Sequence, residues 1–441
     1  MKLEADYELS GSAGRSAEKG HAAVSLAKDS IVVSPAGAHA IVVPWEETRS
    51  ISFQDYGARI GLPAGETLIL GALGYKFEDF QRQAARFRNE KLITLSLADE
   101  PLKRSMIEAE LACTGPAGDF KENCELRIYE TSLIALPETR DFLRMPFRYI
   151  QEIKNDGYAI EIISETGETW RLTGLGRKYD HFLDSLRGQM GELDIFVQKA
   201  LGAAMGGAGP LDIRALAARL REGRLVSFSD IERTVPGSLG KLEKRICSNK
   251  TDSGEYSFLK SISNPADAAL GIKKGFAGGA DYYSFVFRLE KPAPLAAVES
   301  FLVEPGAAAA PGADKKATYF YRLPKSDAPW EDFLGFFNKA MTAVNFRRMP
   351  VLLSEERLSD PKYAVYAGAV ERVPELRELR GLYVGRAIHG EHDRWTGDIS
   401  AITLFASLNL IPGTRWNKDG VEEETEEKPA AANAVKPVKE V

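Results

Sequence analysis

Cysteine and histidine are scarce in this chain of 441 residues. There are three cysteines, Cys113, Cys124 and Cys247, and five histidines. The cysteine number is odd and no pair has CxxC spacing. That excludes a disulfide framework or a zinc knuckle as the organising device and fits a reducing, cytoplasmic setting. The opening segment MKLEADYELSGSAGRSAEKG lacks the apolar core of a signal peptide. The longest uncharged apolar stretch near the end, Ile399 to Ile411, falls short of the roughly 18–20 residues that cross a bilayer. Surplus positive charge is also missing. A formal net charge of −6 speaks against a nucleic-acid partner, whose binding draws on clustered Lys and Arg that displace counterions. No GxSxG serine and no HExxH pair occurs. The expectation is no catalytic residue, no metal and no cofactor.

What the chain does contain is ordinary globular composition, 44% apolar and 27% charged, in a length that predicts two to four domains. It also contains an internal repeat. Ser30 aligns with Ser132 at an offset of 102 and the match runs without a gap to Glu90 and Glu192. Fifteen of the 61 positions are identical, against roughly four from ordinary residue usage. The identities cluster where backbone geometry is demanding: Pro35 with Pro137, Pro44 with Pro146, Gly65-Glu66-Thr67 with Gly167-Glu168-Thr169, Leu73-Gly74 with Leu175-Gly176, Lys76 with Lys178, Phe80 with Phe182. In each copy short Val-, Ile- and Leu-rich runs alternate with turn residues and predict six strands. Asp156-Gly157 and Thr166-Gly167 are hairpin signals. A helix follows, with Phe77, Phe80, Ala84 and Phe87, or Tyr179, Phe182, Leu183, Leu186 and Met190, at helical spacing.

Strands followed by one terminal helix in about 70 residues predict an antiparallel barrel plugged by that helix. The segments SIVVSPAG…ETLILGALGYKFEDFQ and SLIALPET…ETWRLTGLGRKYDHFL resemble the pleckstrin-homology-like (PH-like) superfold, in particular its bacterial and GRAM-type members. The resemblance implies an α+β chain with two tandem PH-like β-barrels, each closed by a C-terminal helix. The expected division is a flexible N-terminus (1–19), PH-like domains at 20–100 and 119–194, a helical segment (195–245), a C-terminal α+β domain (246–411) and a disordered tail (412–441). Residues 280–345 follow the plan loosely enough to suggest a degenerate third unit.

The resemblance further implies a binding role. Lipid-binding members carry basic residues in the loop after the first strand. The segments assigned to that loop, Ala27-Lys28-Asp29 and Tyr129-Glu130-Thr131, do not. A membrane-lipid partner is therefore the second reading. A protein or peptide partner is the first, because the superfold offers a groove where a partner adds a strand. Lys76, Lys178 and the neighbouring Arg177 are candidate binding residues, read either as an anion contact at a helix start or as solvated side chains beside Glu78 or Asp180.

The C-terminal region supplies another candidate. Arg347, Arg348 and Arg386, with Arg377 and Arg380, make an anion or carboxylate site if their elements converge; the other reading pairs them with Glu355, Glu356, Glu375 and Glu378 across helix faces. His389-Gly-Glu-His392-Asp393 is the densest polar cluster, read either as a site or as a capped helix start. Cys247 in KRICSNK has basic neighbours, read either as a reactive thiol or as an ordinary thiol at a helix end. Three functions follow: a non-enzymatic scaffold binding a protein or peptide, a peripheral lipid binder, and an enzyme with an arginine-lined site in the C-terminal domain.

Overall fold

The computed structural model describes residues 1–11, 18–116, 118–275, 281–303, 316–323 and 329–408. The expected tail at 412–441 and most of the Ala/Pro/Gly loop at 304–316 lie outside the described residues. The chain forms two compact units, Met1–Leu186 and a second beginning at Arg187. Both mix helices with antiparallel sheets.

The first unit opens with β1 (Lys2–Ser10), β2 (Glu18–Leu26), β3 (Ser30–Pro35), β4 (Ile41–Pro44), β5 (Ser50–Gln54), β6 (Gly57–Gly61) and β7 (Thr67–Gly71), then α1 (Phe77–Leu95). Their sheet order is β4-β3-β2-β1-β7-β6-β5. After α1 come β8 (Leu102–Thr114), β9 (Phe120–Tyr129), β10 (Ser132–Pro137), β11 (Leu143–Pro146), β12 (Ile150–Asp156), β13 (Ala159–Ser164), β14 (Thr169–Thr173) and α2 (Tyr179–Ala204). This sheet runs β11-β10-β9-β8-β14-β13-β12, the same order seven strands on. The offset of 102 carries β3 onto β10 and the start of α1 onto the start of α2.

The strand missing from the sequence reading is the central one. β1 lies where a flexible N-terminus is expected, and β8 lies between the two expected domains. Both pair with the second and the last strand of their sheets. Leu3, Ala5 and Tyr7 alternate buried with exposed Glu4 and Asp6, the period of a half-buried strand. The signal is weak because the apolar members include one alanine and one tyrosine. A consequence is that the turns after the second strand of each sheet fall within 27–29 and 129–131, with Tyr129 itself ending β9. The segments after the first strands are GSAGRSA (11–17) and GPAGD (115–119), which hold one basic residue between them.

Buried Ile31, Val33, Trp45, Leu68 and Leu70 form one core with Phe80 and Ala84 of α1. The opposite side of α1 meets the second sheet. Asn89 donates from Nδ2 to Arg140 O at 3.1 Å and accepts from Phe142 N at 2.9 Å. Arg127 of β9 forks onto Glu90 at 2.5 and 3.0 Å. Buried Glu100 accepts from Thr131 N, Thr131 Oγ1 and Arg144. α1 is thus shared by both sheets and explains why they make one unit.

In the second unit α3 (Pro210–Arg219), β15 (Val226–Ser227), α4 (Phe228–Thr234), α5 (Ser238–Ile246) and α6 (Lys250–Ser261) lead into β16 (Ser263–Lys273), β17 (Tyr282–Leu289), β18 (Leu295–Leu302) and β19 (Ala317–Arg322). Then come α7 (Trp330–Ala343), α8 (Met349–Leu352), α9 (Glu355–Leu358), α10 (Ala364–Arg372), α11 (Pro374–Leu382), β20 (Tyr383–Ile388) and α12 (His392–Ser407). The sheet order is sequential, β15 to β20, with no return of a last strand onto a first. That topology differs from the two seven-stranded sheets, so the expected third copy of the module is not there. Phe285, Phe287, Phe301 and Phe320 share one core with Leu216, Ile231, Leu242, Leu259 and Ile399. The helices expected as a separate segment at 195–245 therefore belong to this unit's core. The other sheet face meets α7, where Phe337 sits edge-on 5.3 Å from Tyr321.

Candidate functional site

The structure divides the sequence-predicted site residues into two groups, one in each unit. Lys76 and Lys178 end short turns opened by Gly74 (φ 54°) and Gly176 (φ 52°), a left-handed backbone that glycine adopts without a Cβ clash. Lys76 Nζ donates to Lys2 O at 3.4 Å, and Lys178 Nζ donates to Met106 O at 2.7 Å. Each lysine therefore ties the helix start to a carbonyl of the first strand of its own sheet. This is a structural role, different from the pairing with Glu78 or Asp180. Arg177 is exposed beside Lys178.

Lys178 also borders a cleft of about 820 Å³ between α1 and the second sheet, lined by Arg82, Arg86, Glu108, Glu110 and Glu138. Its walls are cross-linked: Arg82 is 3.6 Å from Glu138 and Arg86 is 4.0 Å from Glu125. Burial raises the Glu125 carboxyl, but Arg127 outweighs it and the net direction is down. Arg82 and Arg86 on the α1 wall face Glu108, Glu110, Glu125 and Glu138 across the cleft, so the charges offset one another and the cleft does not gather the positive potential that a phosphate needs.

Arg347, Arg348 and Arg386 lie in the second unit. Arg347 and Arg386 are buried. Arg386 is cross-strand from Tyr319, which sets both side chains on the sheet face turned to α7. Arg348 follows α7 and reaches that face, with Nη1 3.4 Å from Tyr319 Oη and Nη2 3.2 Å from Ser300 Oγ. Arg348 and Arg386 thus lie on the same sheet face. Arg380 behaves as the helix-pairing reading expects: it bonds Glu355 at 2.6 Å and the carbonyls of Pro350 and Leu353.

The cluster that sequence reasoning missed lies on the opposite sheet face. His389, just past β20, places Nδ1 2.5 Å from Glu255 Oε1 of α6 and Nε2 2.9 Å from Glu299 Oε2 of β18. Thr318 Oγ1 donates to Glu299 at 2.6 Å and accepts from Trp395 Nε1 at 3.0 Å. Lys316 pairs with Glu255 and with Asp252 at 3.1 Å. Burial disfavours the charged imidazole, but Glu299 and Glu255 outweigh it and lift His389 to about 9. Burial likewise works against the Glu255 carboxylate, and His389 and Lys316 overcome it, so that carboxyl is held low. With both ring nitrogens donating to carboxylates, His389 is a charged clamp with no lone pair left to accept a proton or bind a metal. Among the described residues no group of three His, Cys, Asp or Glu side chains is arranged to hold a metal ion.

The HGEHD motif signals His389, but its partners are 134 and 90 residues away, beyond any local pattern. His392, the other histidine of the motif, opens α12 with its ring tilted 5.8 Å from Trp395; the helix start is there, but its N-cap residue Glu391 makes no side-chain capping bond. Among the described residues no helix is long and apolar enough to cross a membrane. Compared with known families and with curated proteins, the chain matches no family model and no curated sequence.

Proposed function

We propose that the first unit is a pair of PH-like modules and that the chain is a non-enzymatic binding or scaffold protein, whose partner is a protein segment in extended conformation. The observation that carries this reading is the exposed edge of β5. Both sheets have the same order, and β5 and β12 are their corresponding edge strands. The two edges are unlike. β12 carries Glu152, Lys154 and Asp156 and a bulge between Ile150 and Glu152, the devices that guard an edge against strand addition. β5 reads Ser-Ile-Ser-Phe-Gln, with no charged residue and an even register to β6. Ile51 and Phe53 pack on the core, and Ser52 and Gln54 face outward. A flat, uncharged edge leaves backbone donors and acceptors for an added strand.

Lipid binding has less support, since the segments after the two first strands hold a single arginine. A nucleic-acid partner is disfavoured by the net charge of −6.

The test uses the full chain and a library of random twelve-residue peptides. Selected peptides should protect β5 amides from hydrogen exchange. They should also lose at least tenfold in affinity on a Ser52→Lys, Gln54→Lys double variant, which charges the edge. Peptides that bind both proteins equally, with protection elsewhere, would sink the proposal.

A further inference from the structure

α1 covers the outward face of the second sheet, and the matching face of the first sheet is exposed. In the second sheet Ile93 of α1 packs with Ile134 and Leu136 of β10. Arg86 lies 4.0 Å from Glu125 of β9, and Glu90 takes the fork from Arg127. Glu108 and Glu110 of β8 line the same cleft as Arg82 and Arg86. Strand register identifies the matching positions in the first sheet. Val32 stands opposite Val42 as Ile134 stands opposite Arg144. Ala23 stands opposite Ser34 as Glu125 stands opposite Leu136. Glu4 stands opposite Ala23 as Glu108 stands opposite Glu125, and Asp6 stands opposite His21 as Glu110 stands opposite Asn123. The two cleft acids of the second sheet therefore have two acids in their places in the first.

These residues point away from the core. Buried Ile31 and Val33 flank Val32, and buried Leu3, Ala5 and Tyr7 alternate with Glu4 and Asp6. Ala23, Ser34 and Val42 are exposed, Val42 by 58%. The water-side positions of an antiparallel sheet alternate as polar against the apolar core side. Here β2, β3 and β4 turn out alanine, serine and valine instead, side chains short enough for a helix backbone to come close. On β1 the Glu4 and Asp6 side chains are exposed, with His21 3.5 and 3.0 Å away. Lys2 and Lys19 stand at the two ends of this row, opposite Ser25 and Glu8.

We propose that this face docks an amphipathic helix of a partner protein, with two arginines at i, i+4 over β1 and small or apolar residues over β2–β4. α1 on the second sheet is the chain's own example: Arg82 and Arg86 are four residues apart and share a cleft with Glu108 and Glu110. The spacing fits. Residues four apart on a helix are about 6 Å apart along its axis, and residues two apart on a strand, as Glu4 and Asp6 are, about 6.7 Å. Guanidinium–carboxylate contacts fix the position of the helix along β1, and covering Val32 and Val42 removes apolar surface from water. The occupant differs from α1 in its other contacts. Ser25 and Ala40 hold the places of Arg127 and Phe142, so the first sheet has no fork for an acid like Glu90 and a smoother surface. This inference goes beyond the β5 reading, since it concerns another surface of the unit and a helix in place of a strand.

The experiment is an NMR titration of the full chain, isotope-labelled in its alanine and valine methyls, with two synthetic peptides of Ala, Leu and Arg of the length of α1, 19 residues. One sets its arginines at i, i+4 along one side. The other has the same composition with the arginines spread around the helix. The first should bind saturably and shift the methyls of Ala23, Val32 and Val42, and the second should bind at least tenfold more weakly. A Glu4→Lys, Asp6→Lys double variant should weaken the first peptide at least tenfold. Ala23→Arg, at an exposed position that leaves the core intact, should block it, and serves if the double variant fails to fold. Equal binding of the two peptides, or binding that leaves those three methyls unmoved, overturns the proposal. A dimer of the chain in light scattering that shifts the same methyls without peptide, and is lost in Ala23→Arg, overturns the choice of occupant in favour of a second copy.

Discussion

His389 and Glu299 meet at 2.9 Å in the core of the second unit, with Glu299 fully buried and the imidazole bonded on its other side to Glu255. The contact joins β18 to the chain leaving β20. It sets a pH window. The His389 pKa is raised to about 9 from an unfolded value of about 6.5, so its stabilisation is complete below about 6.5 and is lost as pH rises through about 9. Glu255 is lowered, so its contribution is present above its unfolded value and is lost as pH falls through the lowered one. Chemical denaturation of the full chain should show the second unit weakening between pH 7 and pH 10. His389→Gln should flatten that dependence. An unchanged slope in the variant would rule out His389 as its source.

The buried acid itself allows a sharper test. Glu299→Gln removes the charge that faces His389 and keeps the shape. Breaking a buried pair from one side costs roughly 3–5 kcal/mol. A loss of that size in urea unfolding, reduced in the Glu299→Gln, His389→Gln double variant, would show that the two residues act as a pair.

Arg88 is the corresponding joint in the first unit. Its Nε donates to Thr48 Oγ1 at 2.9 Å and its Nη2 to Arg49 O at 3.0 Å, and it pairs with Asp141 in the loop between β10 and β11. It is 2% exposed. The offset of 102 places Met190 at the equivalent position, so Arg88→Met is a substitution the copied helix already carries. It should destabilise the first unit by about 2–3 kcal/mol, because Thr48 and the Arg49 carbonyl lose a buried donor. Asp141→Asn, at an exposed residue, should cost less than about 1 kcal/mol. Equilibrium unfolding of both variants makes the comparison.

Two glycines of one hairpin unit should respond oppositely to a methyl group. A Cβ on Gly57 would lie 2.6 Å from Leu70 O, a backbone atom, whereas a Cβ on Gly71 meets nothing within 4 Å. Gly57→Ala should cost on the order of 2 kcal/mol by forcing β6 from β7, and Gly71→Ala less than about 0.5 kcal/mol. The thermal midpoints of the two variants check this.

Thiol accessibility gives a fifth prediction. Cys113 and Cys124 are buried and free. Burial first, then Glu122, pushes the Cys124 thiol up to about 12, and burial also raises Cys113. Cys247 is half-buried. A disulfide-exchange reagent at pH 8 should label Cys247 in the native protein and the other two only after denaturation. Rapid native labelling of Cys124 would show that β9 opens locally.

The strands of both seven-stranded sheets, other than the first of each, were legible because each carries a β-branched or apolar run bounded by turn residues, and because one copy checks the other. In the second unit β17, β19 and α7 carry the same kind of local apolar and aromatic signal. β1, β8 and β16 escaped as alanine- or charge-rich strands, and β20 escaped because Gly385 and Arg386 interrupt its apolar run; the burial of all four depends on what they pair with. Of the candidate sites, Arg348 and Arg386 were visible as a basic series, and only the register of β19 with β20 puts them on one face.

Local residue chemistry by itself determined where strands turn and where helices start, the duplication at an offset of 102, and the absence of a recognisable catalytic motif. Tertiary structure alone decided that an unremarkable N-terminal segment is the central strand of its sheet, that α1 serves two sheets, that the third expected copy is a sequential six-stranded sheet, and that His389 finds two glutamates at 134 and 90 residues' distance. The reason is physical. Turn and helix signals act over a few residues, whereas strand pairing and the satisfaction of a buried charge depend on chain segments that only folding brings together.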